Sequence, residues 1–388
     1  MERPDPEYTL ILRLLRQPPA LLSHSMNTAE DATRISQDLM AFLHQPAVDE
    51  HAFNTMALRL FRYQAENNRP FQRYCQMRGK TPRTVSDWRE IPAVPISAFK
   101  DLDLTCIPTS SCERIFMTSG TTRGAIKGRH YHPSLSVYDA SMQLNFAQHI
   151  MQGKAKISMG ILFPTADNMP HSSLAHYLHL AVENFGAFDS HYFIGPEGLD
   201  ATALALSLQQ AQETGTPYAL LGASYSMVHA LDAFAAQGLR FHLPQGSWIL
   251  DTGGFKGQSR EIDVDTFYNQ LSQVLGVPRT QCFNMYGMTE LSTQFYDAGN
   301  AIAPSIKRGP HWIRTRVVDP LTGQEMPHGE RGVLVHTDLA NYNSVTTLMT
   351  EDVGLAMDHG FALLGRVQGA QAKGCSMAID AFLQAAKA

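Results

Sequence analysis

Apolar residues recur at helical spacing in the N-terminal part of the chain. The spacing predicts helices over 29–44 and from 51 to about 78. The predicted core positions of this helical layer are Leu39, Leu43, Met56, Leu60 and Phe61. Pro92 and Pro95 then predict an extended segment, because proline disfavours helical geometry in the residue before it.

Short apolar runs alternate with amphipathic segments through the middle of the chain. The runs predict strands over 115–117, 157–163, 218–221 and 248–250. The amphipathic segments predict helices over 172–185, 199–214, 227–237 and 263–275. Strands that alternate with helices are typical of an α/β fold with largely parallel sheets.

The pattern changes again from Ile313 onward. Shorter alternating segments, at 314–318 and 332–336, predict a small β-rich subdomain. The predicted organisation is therefore a helical layer over 1–90, an α/β core over 91–312, and the β-rich subdomain with a C-terminal tail over 313–388.

Composition narrows the class of protein. The 388 residues are 44% hydrophobic and 17% charged, as in an ordinary globular protein with more than one packed subdomain. The net charge of −5 gives no reason to expect a nucleic-acid partner. An apolar run of about 18 residues is lacking, so no transmembrane helix is predicted. Five scattered cysteines without zinc-ligand spacing favour a reducing cytoplasm.

A cluster of hydroxyl groups and glycines follows the predicted strand at 115–117, in Phe116-Met-Thr-Ser-Gly-Thr-Thr-Arg-Gly-Ala-Ile-Lys-Gly128. Glycines expose backbone N–H groups to phosphate oxygens, while hydroxyls donate hydrogen bonds and a lysine adds positive charge. We call residues 118–128 the phosphate loop; its candidate ligands are Thr118, Ser119, Gly120, Thr121, Thr122 and Lys127. Gly128 excludes a Walker loop, which has Ser or Thr after the lysine. Alone, such a cluster is more typical of an ordinary turn.

Two further segments carry candidate chemistry. In Asp251-Thr-Gly-Gly-Phe-Lys-Gly257, the glycines follow a predicted strand, where α/β folds bind ligands. In Tyr286-Gly-Met-Thr-Glu290, an aromatic ring and a hydroxyl precede a carboxylate that suits a hard cation. The alternatives are a plain glycine turn for the first segment and a capped helix start at Thr289 for the second.

The phosphate loop together with Tyr286-Gly-x-Thr-Glu290 resembles the adenylate-forming superfamily of acyl-CoA synthetases, peptide-synthetase adenylation domains and luciferases. Further blocks are similar to the LuxE-type acyl-protein synthetases of that superfamily. These blocks lie in order at 91–100, 251–257, 336–341, 349–354, 364–366 and 373–376. The resemblance implies the superfamily's N-terminal-domain architecture, in which 91–312 is the nucleotide- and acyl-binding core.

The resemblance also implies ATP and Mg²⁺ as ligands, with the phosphate loop around the phosphates. It assigns Gly253 and Gly254 to the adenine-side wall, and Tyr286 with Gly287 to stacking on adenine. It assigns Thr289 to the α-phosphate and Glu290 to Mg²⁺.

Two downstream residues complete the implied nucleotide site. Asp352 matches the aspartate that binds both ribose hydroxyls, although Glu351 stands where the superfamily more often has glycine. Arg366 matches the arginine of a glycine–arginine pair near ribose or phosphate. A surface ion pair is the alternative interpretation of Arg366.

The chain departs from most of the superfamily after Arg366. Only 22 residues follow, so the resemblance leads us to expect that the mobile C-terminal domain and its catalytic lysine are lacking, as in LuxE-type proteins. Lys127 and Lys256 are both candidates for the missing positive charge, and the sequence does not decide between them. Cys375 matches the near-terminal cysteine that receives the acyl group in that family, and a buried structural cysteine is the alternative.

The implied activity is ATP-dependent activation of a carboxylic acid, with a fatty acid as the first expectation. The acyl group would pass from acyl-AMP to Cys375 as a thioester and then to an acyl reductase partner. The resemblance leaves two alternatives open. One is an enzyme that adenylates an aromatic acid in a phenazine-like natural-product pathway, and the other is a non-catalytic protein that binds nucleotide or acyl groups.

Overall fold

The computed structural model of the protein describes residues 21–119, 126–154, 156–255, 259–366 and 370–387. The side chains of 21–31, 370–376 and 387 lie outside this description. The α-helices of the described residues are α1 (Leu21–Leu43), α2 (Glu50–Asn67), α3 (Arg69–Met77), α4 (Ala98–Asp101), α5 (Ser136–Phe146), α6 (Ser173–Phe185), α7 (Ala201–Thr214), α8 (Ser224–Ala236), α9 (Val264–Leu275) and α10 (Ala370–Lys387).

The strands divide into two large sheets and two hairpins. They are β1 (Val94–Pro95), β2 (Arg114–Met117), β3 (Arg129–His132), β4 (Ser158–Leu162), β5 (His191–Tyr192), β6 (Ile194–Gly195), β7 (Gly198–Leu199), β8 (Tyr218–Ala223), β9 (Trp248–Thr252), β10 (Cys282–Tyr286), β11 (Phe295–Tyr296), β12 (Ile306–Lys307), β13 (Ile313–Val318), β14 (Arg331–Asp338), β15 (Thr347–Met357) and β16 (Gly360–Arg366). The hairpins are β2–β3 and β6–β7.

The first sheet has the order β11-β10-β9-β8-β4-β5, and its strands are parallel except for the edge strand β11. Successive side chains of a strand point to opposite faces of the sheet, and helices bury both faces here. In β8, Ala219 and Leu221 pack with helices α5 and α6, whereas Leu220 packs with α7, α8 and α9. This arrangement confirms the predicted α/β fold with a largely parallel sheet.

The second sheet has the order β12-β16-β15-β14-β13, and β1 pairs in parallel with the start of β15. Its other pairs are antiparallel. A β-rich C-terminal region is therefore present as predicted, and it recruits strands from 94–95 and 306–307. The predicted boundaries at 90/91 and 312/313 stay a prediction.

The N-terminal helices pack against this second sheet in one continuous apolar cluster. Leu39, Leu60 and Phe61 are buried as predicted, and the cluster extends to Val317 and Phe361. The predicted helix over 51–78 is two helices. Asn68 ends α2 and caps α3, and proline stands in the first turn of α3, so the chain turns there.

The predicted C-terminal tail is also corrected, because residues 370–387 form helix α10. Its second half is docked: Phe382 is fully buried, and its ring lies 4.7 Å from that of Tyr74 in α3. Arg73 Nη1 donates to the carbonyl of Ala386. In the described part of the chain, no helix has the length and apolarity needed to cross a membrane.

Candidate active site

The glycine segments meet at the carboxyl end of the parallel sheet. Strands β9 and β10 are parallel neighbours, with Thr252 paired to Met285. Gly253 and Gly254 therefore emerge beside Tyr286 and Gly287, at the edge where α/β folds bind ligands. Gly253 has φ +81°, and a Cβ at either Gly253 or Gly254 would meet no described heavy atom within 4 Å. These glycines leave space next to the sheet.

The phosphate loop leaves from the β2–β3 hairpin. Thr118 N donates to the Gly128 carbonyl (3.0 Å), and Gly128 N donates to Thr118 Oγ1 (2.9 Å). The two residues thus close the base of the loop, while Ser119 and Lys127 are exposed. The candidates Gly120, Thr121 and Thr122 lie outside the described residues.

Glu290 lies directly against this base. A Cβ built on Gly128 would be 3.4 Å from Glu290 Oε1 and 3.1 Å from Thr118 Cγ2. A larger residue at 128 would therefore crowd the carboxylate, which explains why glycine closes the loop. The tertiary structure thus brings together two motifs that are far apart in the sequence.

The segment around Thr289 is a turn and not a helix start, which excludes the capped-helix alternative. His130 in β3 donates from Nδ1 to the Thr289 carbonyl (2.9 Å). Asn341 Nδ2 donates to the Glu290 carbonyl (2.8 Å). The turn is therefore held from two sides by side chains.

Asp338 at the end of β14 fixes the residues that follow this turn. Its carboxylate accepts hydrogen bonds from Ser292 N (3.0 Å), Thr293 N (2.9 Å) and Thr293 Oγ1 (2.7 Å). Burial nevertheless raises the pKa of Asp338 to about 6, and these donors oppose the rise.

Glu290 is 6% exposed, and its burial raises its pKa to about 7. The positive charges of Lys100 and Arg366 oppose the rise, while the Glu351 carboxylate adds to it. No group of three or more His, Cys, Asp or Glu side chains in the described ranges is arranged to hold a metal ion. A single buried carboxylate suits a cation that takes its other ligands from phosphates and water, as Mg²⁺ does.

Tyr286, Asp352 and Arg366 form a linked set beside Glu290. Tyr286 donates its hydroxyl proton to Asp352 Oδ2 (2.9 Å), and Arg366 Nε lies 3.3 Å from Asp352 Oδ1. The other arm of Arg366 donates to Glu351 Oε2 (3.1 Å). The structure thus brings together the residues predicted to bind ribose and phosphate, and it adds Glu351 to them.

The Tyr286 ring is enclosed by aromatic neighbours. It is 7% exposed, and its centroid lies 5.4–5.9 Å from the rings of Phe361, His336 and Phe295. Its hydroxyl therefore has a structural role toward Asp352, and its stacking on adenine stays a prediction.

The hairpin between β15 and β16 places Arg366 opposite Asp352. The two residues are register partners, and the register shifts between Val353 and Gly354. Gly365, paired with Val353, has φ +128°, a conformation that side chains other than glycine rarely adopt. The glycine of the predicted glycine–arginine pair is thus explained by backbone geometry.

The remaining candidates lie partly outside the description. Lys256 is not among the described residues, and Cys375 is on helix α10 with its side chain undescribed. The other cysteines, Cys75, Cys106, Cys112 and Cys282, are unpaired. Burial raises the pKa of each of these four thiols, which makes them poor nucleophiles.

Sequence reasoning assigned no role to several residues that contact the site. A Cβ built on Gly128 would lie 3.6 Å from the Cβ of Phe99, and Lys100 is the next residue. His130 donates a hydrogen bond to the Thr289 carbonyl. Both belong to segments noted in the sequence, but nothing in a one-dimensional pattern indicates which distant carboxylate or carbonyl a side chain meets.

Comparisons with known proteins show which family and fold this chain resembles. The family model of LuxE acyl-protein synthetases matches residues 35–384. A long-chain-fatty-acid–luciferin-component ligase of Vibrio harveyi is 23% identical over 331 residues, covering 82% of this chain and 85% of that protein. The ligase of the same name from Aliivibrio fischeri is 21% identical over 303 residues, covering 77% of each.

Solved structures show the same fold. The crystal structure of 2-hydroxyisobutyryl-CoA ligase in the postadenylation state, in complex with 2-HIB-AMP, matches with a TM-score of 0.61 and 15% identity. The match covers 82% of this chain and 68% of that chain. The architecture of adenylate-forming ligases predicted from the sequence is thereby confirmed.

Proposed function

Since the chain belongs to the LuxE acyl-protein synthetase family and is a ligase, we propose that it activates a carboxylic acid with ATP and transfers the acyl group to Cys375. The observation that carries the proposal is the meeting of the phosphate-loop base with a buried carboxylate, where Gly128 lies against Glu290 Oε1. Phosphate donors on one side and a cation ligand on the other are what nucleotide activation needs.

In the first step, an oxygen of the acid's carboxylate attacks the α-phosphorus of ATP, and pyrophosphate leaves. The amides and hydroxyls of the phosphate loop, with the exposed Lys127, stabilise the charge that develops on the phosphates. Thr289 contacts the α-phosphate, and Asp352 accepts hydrogen bonds from ribose while Arg366 orients it. Mg²⁺ held by Glu290 would neutralise negative charge on the phosphates.

In the second step, the Cys375 thiolate attacks the acyl carbonyl of acyl-AMP, and AMP leaves. The proton of the thiol is lost when the thiolate forms. Cys375 is nine residues after Arg366, and helical geometry from residue 370 limits the separation of their Cα atoms to about 22 Å. This limit is compatible with transfer to Cys375 and does not by itself place the thiol at the acyl carbonyl.

The test is intact mass spectrometry after incubation with ATP, Mg²⁺ and a panel of fatty and aromatic acids. We expect a mass gain with one class of acid that hydroxylamine removes. Cys375→Ser should abolish the gain and keep ATP–pyrophosphate exchange, because activation precedes transfer. Cys112→Ser is the matched control, since Cys112 is a half-buried thiol in the segment before β2 and should keep the gain.

The possible contrary results differ in meaning. Exchange without a mass gain would show that Cys375 is structural and that the adenylate is released or used elsewhere. No exchange with any acid would favour the non-catalytic alternative.

We further propose a fatty acid as substrate and an acyl reductase as the protein that takes the acyl group. The names of the two bacterial relatives, which refer to a long-chain fatty acid and a luciferin component, support the first part. An aromatic acid is the second candidate, because the side chains behind Thr289 form a cluster of rings: Phe116, His132, Tyr138 and His176.

A further inference from the structure

Behind Thr289, a cluster of rings surrounds buried polar atoms that have no hydrogen-bond partner among the described residues. We call Phe116, His130, His132, Tyr138 and His176 the ring cluster. Neighbouring rings lie 4.2–5.7 Å apart between centroids. It begins at His130, which bonds to the Thr289 carbonyl, and continues away from the phosphate loop along β3.

His132 is the first of these unpartnered groups. It is 5% exposed, and its Nε2 has no hydrogen-bond partner among the residues that the structure describes. Burial lowers the pKa of His132 well below its usual value, and His130 and His176 lower it further. The ring is therefore neutral, and each of its nitrogens can donate or accept one hydrogen bond according to the tautomer.

Gln294 is the second, and it faces the cluster from the segment after β10. It is 4% exposed, and its Oε1 likewise has no partner within the described ranges. Its Nε2 lies 3.5 Å from the Tyr138 hydroxyl, which itself donates to the Ser173 carbonyl. Exchanging the amide oxygen and nitrogen would still leave one buried amide atom without a partner.

Two buried polar groups near Tyr138, one on β3 and one after β10, thus have no hydrogen-bond partner within the described part of the chain. Buried polar atoms are usually paired, because an unpaired one loses its hydration without compensation. A nearby ion pair is already satisfied: His176 Nε2 lies 2.7 Å from Asp139 Oδ1. The unpaired atoms are neutral and are suited to a hydroxyl or an amide, and not to a charged group.

The position of the unpaired His132 and Gln294 atoms suits a contact with the acid and not with the nucleotide. In acyl-AMP the acyl group is attached at the α-phosphate, which the proposed mechanism places at Thr289. His130 contacts the Thr289 carbonyl, and His132 lies on the same face of β3, about 6.6 Å farther along. The unpaired atom of His132 therefore lies farther along β3 than the residue that contacts Thr289.

We infer that His132 and Gln294 bind a hydrogen-bonding substituent of the acid, so that the preferred substrate is a hydroxylated or amide-bearing carboxylic acid and not an unsubstituted one. This inference rests on the proposed function. The shared chemistry is one neutral hydrogen-bonding group, on either an aromatic or an aliphatic acid.

The test compares ATP–pyrophosphate exchange for pairs of acids that differ in one group. One arm uses 4-hydroxybenzoic and 4-methylbenzoic acid, and the other uses tetradecanoic acid and its positional hydroxy isomers. We expect kcat/KM to be at least about tenfold higher for one hydroxylated acid than for its unsubstituted partner, because the latter leaves the buried groups unpaired.

Gln294→Leu should reduce that ratio to about threefold or less, mainly by raising KM for the hydroxylated acid. His132→Phe is the second variant and should act in the same direction. Gln143→Leu is the matched control: Gln143 lies on α5 and lines a separate recess of about 490 Å³ formed with α1 and α6. In Gln143→Leu, the ratio of kcat/KM for the hydroxylated acid to kcat/KM for the unsubstituted acid should equal that of the wild type.

Equal or faster exchange with the unsubstituted acids in the wild type would overturn the inference while leaving the proposed function intact. An unchanged ratio in well-folded Gln294→Leu and His132→Phe variants would also overturn it. The absence of exchange with every acid would overturn the proposed function and this inference together. The wild-type comparison decides the matter even where neither variant folds.

Discussion

Glu290 is a carboxyl group whose charge depends on its surroundings. Its burial raises the pKa from 4.5 to about 7, so the folded protein keeps this proton between those pH values while the unfolded chain has lost it. The contribution of Glu290 to the free energy of unfolding therefore falls as the pH rises through this window, and it stays constant above the folded-state pKa of about 7. The full difference amounts to about 3 kcal/mol.

We predict that Glu290→Gln raises the free energy of unfolding relative to wild type, and that the gain is larger at pH 8 than at pH 5. Urea unfolding at both pH values measures it. Exchange activity should fall about a hundredfold or more, since the cation loses its ligand. Glu197→Gln, in an exposed turn, is the control and should change neither quantity. An equal stability difference at both pH values would contradict the prediction.

The chemistry of the candidate site was predicted from residue types: glycine for close approach, hydroxyls for phosphate, carboxylates for cations and ribose. What each side chain contacts was not. The Tyr286 hydroxyl bonds to Asp352, 66 residues later, and His130 bonds to the carbonyl of Thr289, 159 residues away. Such pairings depend on how the strands assemble.

The β15–β16 hairpin is the element that aligns Asp352 and Arg366, which we propose to bind ribose. Gly365 has φ +128°, and a Cβ there would meet no described atom within 4 Å, so alanine would suffer backbone strain and not a clash. We predict that Gly365→Ala lowers the free energy of unfolding by about 1–3 kcal/mol. It should also raise KM for ATP about tenfold in the exchange assay, because Arg366 moves away from Asp352.

Gly329→Ala provides the control for strain alone. Gly329 also has positive φ (+78°) and open space around it, but it lies in the turn before β14. It should lose about 1–2 kcal/mol of stability and keep the KM for ATP. Equal KM values in the two variants would show that Gly365 does not align the site.

Elements with clear local signals matched their predictions. The strand at 115–117, the helix at 172–185 and the helix at 263–275 are present within a few residues. The break near Asn68 was missed, because the apolar spacing continues across it. Helix α10 was missed although it is 18 residues long, and its second half is held by docking of Phe382 on Tyr74.

At the scale of the whole molecule, the helical layer and the second sheet are joined by a buried amide. Gln64 in α2 is fully buried, and its Nε2 donates to the carbonyls of Asn341 (2.9 Å) and Tyr342 (3.1 Å). Its Oε1 accepts from Thr346 N (3.0 Å). The loop held in this way also carries the Asn341 side chain to the Glu290 carbonyl.

We predict that Gln64→Leu lowers the free energy of unfolding by about 3 kcal/mol, because it leaves the Tyr342 carbonyl and Thr346 N buried without this partner and removes one of the two donors to the Asn341 carbonyl. Urea unfolding measures this loss, and exchange activity should fall as the loop shifts. Gln209→Leu on the exposed side of α7 is the control and should stay within about 0.5 kcal/mol of wild type. A similar small change for Gln64→Leu would show that the loop is held without it.

The sequence by itself determined the α/β class and most element positions, because these depend on periodicity and on residue types within a few positions, and it predicted a chemistry for the phosphate loop and for Tyr286–Glu290. Only the tertiary structure decided that Gly128 lies against Glu290, that Arg366 pairs with both Glu351 and Asp352, and that the ring cluster lies behind Thr289. Contacts between distant segments follow from strand order and register, and a local pattern carries no information about which strand becomes its neighbour.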